Sequence, residues 1–181
     1  MDFVETLAHR NAGYASKQFT TGLTMLPSRK TMIIGCVDPR VDPLDIFQLE
    51  AGEAAVIRNV GGRVTPAILE TMAILRTVSR VAGAEVGAGW NLLVLHHTDC
   101  GIAGCYHQAP ELLAKHMGVT LEDLPALAVT DPYQAVAVDV AALRNNPRLP
   151  AALSVSGMVY DVATGLVKIV VPPAPLRPNE I

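Results

Sequence analysis

Apolar residues fall along this chain in two patterns. Short, almost wholly apolar runs alternate with longer stretches in which apolar positions recur every three or four residues. The runs Thr31 to Cys36, Ala54 to Arg58 and Asn91 to His96 are bounded by connections rich in Gly and Pro, so they predict buried β-strands. Pro66 to Val81 has helical spacing, with Pro66 suited to a first turn, and Pro110 to Met117 and Pro132 to Arg144 are predicted helical as well. Leu153 to Tyr160 predicts a fourth strand and Val167 to Val171 a fifth, joined by a turn over Asp161 to Gly165. Strands and helices in alternation predict an α/β fold with a central, mostly parallel β-sheet of four to five strands flanked by helices.

The two ends break this pattern. Between Asp2 and Gly22, Phe3, Leu7, Tyr14 and Phe19 lie among polar residues, which predicts an amphipathic helix frayed or interrupted at Gly13. Residues 1–25 are thus expected to form a helical arm with no obvious partner surface in the chain itself. Residues 172–181, PPAPLRPNEI, hold four prolines and are expected to continue neither strand nor helix, being disordered or laid across a neighbour. No repeat or linker divides the chain, so residues 1–181 are read as one domain.

Composition narrows the partners. With 14 basic and 17 acidic residues the formal charge is −3, which offers no electrostatic footprint for nucleic acid or for an anionic membrane surface. The expected partner is a small molecule. The first residues lack a basic start and apolar core, and no run is long and apolar enough to span a bilayer, so a cytoplasmic location is expected. Three cysteines, an odd number, fit a disulfide framework poorly. Metal binding or catalysis is the better use for at least two.

The chemistry concentrates in IIGCVDPRV and LLVLHHTDCG, which carry Cys36, Asp38 and Arg40, then His97 and Cys100. Each segment leaves the end of a predicted strand, and in a parallel α/β sheet ligands collect outside the carboxyl ends of the strands. Some sixty residues separate Cys36 from His97, so only the folded sheet can assemble them. Two thiolates and one imidazole on a zinc ion leave a fourth tetrahedral position for water, the mark of a catalytic rather than a structural site. Thiolates are electron-rich, so a nearby group must help that water ionise. Asp38 and Arg40, two apart in an extended stretch, are expected to share a face with Cys36. The guanidinium keeps Asp38 ionised, and the carboxylate then orients zinc hydroxide. If Arg40 lets go, Asp38 becomes a fourth ligand and closes the site.

These motifs resemble the signature of the beta class of carbonic anhydrases, Cys-x-Asp-x-Arg followed by His-x-x-Cys-Gly, here Cys36-Val-Asp38-Pro-Arg40 and His97-Thr-Asp-Cys100-Gly101. The likeness runs through GEAAVIRNVGG and the helix after it, roughly residues 30 to 105. It implies hydration of CO2 to bicarbonate, with one zinc per chain on Cys36, His97 and Cys100. It implies further that Asp38 and Arg40 are catalytic and that the Gly101 N–H faces the substrate. A homodimer or homotetramer with the first helix wrapped over a partner is also implied. Pro27 stands where plant-like members have a pocket Gln, Ala55 replaces an aromatic residue, and Ile33 stands where bicarbonate-regulated members have Trp. The regulatory site is therefore not carried over.

Other residues take plainer readings. Cys105 is expected to be a buried or spectator thiol, His96 a packing or hydrogen-bonding residue facing away from the metal, and His107 a solvated loop residue. Asp42 and Asp99 fit capping or turn roles. Gly61 and Gly62 lack the pattern of a phosphate loop. Two rival functions remain: hydrolysis of carbonyl sulfide or carbon disulfide at the same zinc, and a non-catalytic zinc protein with the metal closed by Asp38.

Overall fold

A computed structural model of the chain describes residues 2–180. Five strands form one sheet: β1 (Thr31–Cys36), β2 (Ala54–Asn59), β3 (Asn91–His97), β4 (Ser154–Tyr160) and β5 (Val167–Pro175), in the order β2-β1-β3-β4-β5. The first four run parallel, and β5 turns back antiparallel on β4 through a turn in which the Asp161 carboxylate accepts from Ala163 N–H and the Thr164 hydroxyl. The α/β fold with a mostly parallel sheet is the one the apolar runs predict. β1 and β3 are buried nearly throughout, because helices or loops cover both faces of the central strands.

The helices are α1 (Phe3–Lys17), α2 (Pro43–Ile46), α3 (Pro66–Val81), α4 (Ile102–Gln108), α5 (Pro110–Met117) and α6 (Pro132–Arg144). α3 and α6 pack one face of the sheet, where Ile68, Met72, Val136 and Val140 meet Met32, Ile34, Leu92 and Val94. Ile33, Leu93 and Leu95 project to the other face, against Ile46, Phe47 and Leu49. Side-chain caps start the two long helices: Thr65 on α3 and Asp131 on α6, each followed by a proline at a position whose N–H would be unpaired anyway. Among the described residues no helix is long and apolar enough to cross a membrane.

Several expectations need correction. α1 runs through Gly13 without a break and stops at Lys17, its start fixed by a capping box between Asp2 and Glu5. None of its residues is buried. α2 and α4 are helices that apolar periodicity did not reveal, since each is two turns or less. The proline tail is neither loose nor irregular: β5 extends through Pro172, Pro173 and Pro175. Leu176 N–H donates inward to Leu153 O, so alternation turns the nitrogen of the preceding Pro175 outward, to the open edge where no donor is needed, and the register of β5 on β4 shifts over Pro172 and Pro173. Beyond the strand, Leu176 is buried and Arg177 donates to the carbonyls of Arg144, Asn146 and Leu149. Ile181 lies outside the described residues.

Candidate metal centre

Cys36 is the last residue of β1 and His97 the last of β3, and because these strands are parallel neighbours both arrive at one edge of the sheet. The turn that follows β3 carries Cys100 back over them. One ligand atom from each of Cys36, His97 and Cys100 lies within 4.8 Å of the others, and the two sulfurs are 3.9 Å apart. A 3-10 turn, Val60–Gly62, is pressed against the same edge. Gly62 takes a φ of 64°, and a Cβ there would sit 3.0 Å from the backbone of Gly35, Cys36 and Leu95, so only glycine lets the turn approach so closely.

The donor set suits a metal. The Nδ1 of His97 lies 2.9 Å from Thr98 O, and since a carbonyl only accepts, Nδ1 carries the proton and Nε2 presents a lone pair. That Nε2 is buried and has no hydrogen-bond partner, a costly state unless something positive binds it. Cys36 ionises easily: the Cys100 S–H donates to it, outweighing burial, and His97 and the N–H groups of Asp38 and Gly61 add to this, bringing its pKa down to about 4. Cys100 is pushed up because it donates to that thiolate. Burial would lower His97, but the Cys36 thiolate beside it raises it instead. One proton and one charge are shared among three ligating groups, and a borderline-soft cation such as zinc relieves that arrangement.

Asp38 and Arg40 are together, but not through an extended stretch. Pro39 turns the chain, and Arg40 N–H donates to Asp38 Oδ1 at 2.9 Å in a local turn. The Arg40 fork then closes on the carboxylate, Nη2 to Oδ2 at 2.7 Å and Nε to Oδ1 at 3.0 Å. These bonds hold the Asp38 carboxyl down at about 2. Asp38 is outside the ligand cluster.

Two residues that chain-level reasoning missed complete the clamp. Asp99, read as a turn residue, does adopt a left-handed φ of 53°, yet its Oδ2 also accepts from Arg40 Nη1 at 2.8 Å and its carbonyl from Nη2. Arg58 ties the loop after β1, donating to the carbonyls of Cys36 and Asp38 and to Asp42, while Asp42 caps α2 as expected. An Arg inside a strand was the only signal available.

Two cavities flank the triad. One, of about 250 Å³, is largely apolar and is bordered by Cys36, Asp38, Val60, Gly101 and Ile102. The other, of about 140 Å³, lies toward α6 and is bordered by Arg63, His96 and Ala135; the two meet at Gly61, Cys100 and Ile102. Pro27 and Ala55, the departures expected to reshape the pocket, border neither; they line a third cavity with Trp90. His96 turns away from the metal ligands to Asp139, 3.1 Å distant. Cys105 stays outside the ligand cluster, half-buried, with its S–H toward Ala109 O. His107 is exposed, on α4 rather than on a loop, with its ring edge-on to Tyr106.

Residues 31–130 match the family model described as carbonic anhydrase. The chain is 31% identical over 163 residues to beta-carbonic anhydrase 1 of Mycobacterium tuberculosis, covering 90% of this chain and 94% of that one. Among solved structures it resembles a carbonic anhydrase of Streptococcus mutans, with a TM-score of 0.74 and 30% identity over 94% of this chain and 98% of the other. A carbon disulfide hydrolase of Acidithiobacillus thiooxidans is 24% identical over 158 residues, 76% of this chain and 75% of that protein.

Proposed function

Because the chain belongs to the beta-carbonic anhydrase family, we propose that it catalyses the reversible hydration of carbon dioxide to bicarbonate at one zinc ion held by Cys36, His97 and Cys100. The observation that carries this reading is a single arrangement: three ligand atoms converge within 4.8 Å while Arg40 holds Asp38 beside them and outside their cluster. Zinc bound there would supply a Lewis acid that lowers the pKa of a water in its fourth position. His97 offers Nε2 to the metal, its ring fixed by the bond to Thr98 O. Asp38, kept ionised by Arg40, accepts a hydrogen bond from the reacting water and orients it. The apolar cavity beside Val60 and Ile102 suits a linear, uncharged substrate, and the Gly101 N–H in its wall is assigned to the substrate oxygen. A proton must leave each cycle, so turnover depends on buffer.

The same reading includes a homodimer or homotetramer. α1 has no buried residue, and Phe3, Leu7, Tyr14 and Phe19 are all exposed on this segment, an apolar surface that a second copy would cover. Light scattering at micromolar concentration is expected to give at least twice the chain mass.

The deciding experiment is stopped-flow CO2 hydration by zinc-quantified protein at mildly alkaline pH, with carbonyl sulfide turnover measured alongside. Fast, buffer-dependent CO2 hydration is the expected result. Negligible hydration with a full complement of zinc would defeat it and transfer the reading to carbonyl sulfide hydrolysis or to a site closed by Asp38.

A further inference from the structure

We propose that Thr98 is a positioning residue for the metal: the turn between β4 and β5 clamps its hydroxyl, and this holds its carbonyl where it fixes the His97 ring. Asp161 and Val162, in that turn, thereby help to set zinc affinity without touching zinc. The proposal rests on zinc being held by Cys36, His97 and Cys100, and not on which substrate the metal serves.

His97 presents its metal-binding nitrogen through one anchor. Nδ1 donates to Thr98 O at 2.9 Å, and the Nε2 that this leaves for the metal is buried and unpartnered. A ring nitrogen keeps its lone pair on a metal only if the acceptor on the other nitrogen stays in place. Here that acceptor is a backbone carbonyl in the turn after β3, followed directly by Asp99 at a φ of 53°. A residue other than glycine keeps such a conformation only where its surroundings restrain it.

Restraint comes from both sides of this peptide. On one side, Thr98 N–H donates to Tyr160 O at 2.9 Å, carrying the β3–β4 ladder one residue past His97. The Thr98 hydroxyl accepts from Val162 N–H at 3.1 Å and donates to Asp161 Oδ1 at 3.3 Å. Both directions are forced, since an amide N–H only donates and an ionised carboxylate only accepts. Asp161 is kept ionised chiefly by the Ala163 N–H and then by the Thr164 hydroxyl, which hold its carboxyl below the usual range. A β-branched side chain has little freedom at χ1, so fixing the hydroxyl fixes the backbone that carries it. On the other side, Asp99 is tied to Arg40 through its carboxylate and its carbonyl. The carbonyl that orients His97 therefore lies between two anchors, and the β4–β5 turn supplies one of them.

The test is zinc affinity by chelator competition, together with the His97 ring NMR signals of zinc-loaded protein, in Thr98→Val, Thr98→Ser and Thr164→Ala. Valine keeps the shape and branching of threonine without the hydroxyl, and serine keeps the hydroxyl. Thr164→Ala loosens the same turn by removing a bond to Asp161 Oδ2, but leaves Thr98 with both its partners. Expected in Thr98→Val is about a tenfold loss of zinc affinity, the lower end of the range for groups that orient metal ligands, with a shifted and faster-exchanging Nδ1–H signal. Thr98→Ser should restore both, and Thr164→Ala should bind zinc as the wild type does. Wild-type affinity with an unmoved Nδ1–H signal in Thr98→Val would overturn the proposal, as would an equal loss of zinc in Thr164→Ala. Neither readout involves turnover. Protein that binds zinc but fails to hydrate CO2 would defeat the proposed reaction and leave this role of Thr98 standing, while a wild type that takes up no zinc would defeat both.

Discussion

Two arginine–carboxylate forks lie near the metal triad, and they are chemically alike. Arg63 grips Asp139 through Nε and Nη2, and Arg40 grips Asp38 through the same two nitrogens. Their surroundings differ: the side chains of the first pair are 1% and 3% exposed, while Arg40 is 47% exposed, Asp38 14% and the second partner of Arg40, Asp99, 77%. The buried fork joins the turn after β2 to α6 and, through His96, to β3, so it secures the frame on which His97 and Cys100 are hung. For Asp139 burial alone would raise the pKa, and the bonds from His96 and Arg63 overcome it and hold it low. The second fork holds only a side chain and a loop, and water reaches it from the Arg40 and Asp99 side. One pair is buried in the frame and the other lies nearer solvent, and the proposed role of Asp38, assisting the metal or closing on it, would need the second to open.

That contrast can be broken most severely at Asp38. Asp38→Ala is expected to lower CO2 hydration by about 10²- to 10⁴-fold, the range for loss of a positioned proton-handling group, with zinc content unchanged. Loss of zinc in this variant would show that the exposed fork is structural after all. Asp139→Ala is expected to do the reverse. It strands the buried Arg63 charge and should cost about 3–5 kcal/mol in denaturant unfolding, an effect that would be absent if the network were dispensable.

A subtler test follows the charge on Asp38. Its folded pKa is depressed, so the stabilisation it draws from Arg40 is present above its ordinary value, about 3.9, and is lost as pH falls through about 2. In Arg40→Ala the midpoint should move up toward the ordinary value, read from the Asp38 carboxyl carbon by NMR in metal-free protein. An unmoved midpoint would mean that the fork does not set the charge. The smallest effect belongs to Asp99→Asn, which removes one exposed partner of Arg40 and should change turnover by no more than about fivefold.

These forks also mark how far the chain was legible. Strand ends were readable from apolar runs, and with them the convergence of Cys36, His97 and Cys100. Local chemistry was readable too, as with Asp42 at a helix start. Contacts between Arg40 and Asp99, 59 residues apart, or Arg63 and Asp139, 76 apart, leave no periodic trace, because they depend on which loops the sheet brings together. The short helix α4 was hidden for another reason: with Gly104 inside it and seven residues in all, it has too few turns to show a face.

The prolines of β5 have a consequence for assembly. An open sheet edge is a template on which another strand can add, from a second copy or from an aggregate. Here the outward nitrogen of Pro175 carries no hydrogen, and the register shift over Pro172 and Pro173 bends the strand, so a strand docking along that edge would meet a broken row of donors. Continuous sheets across subunits are thereby disfavoured at this side of the molecule, and growth into fibres is blunted there by the same irregular, proline-bearing edge.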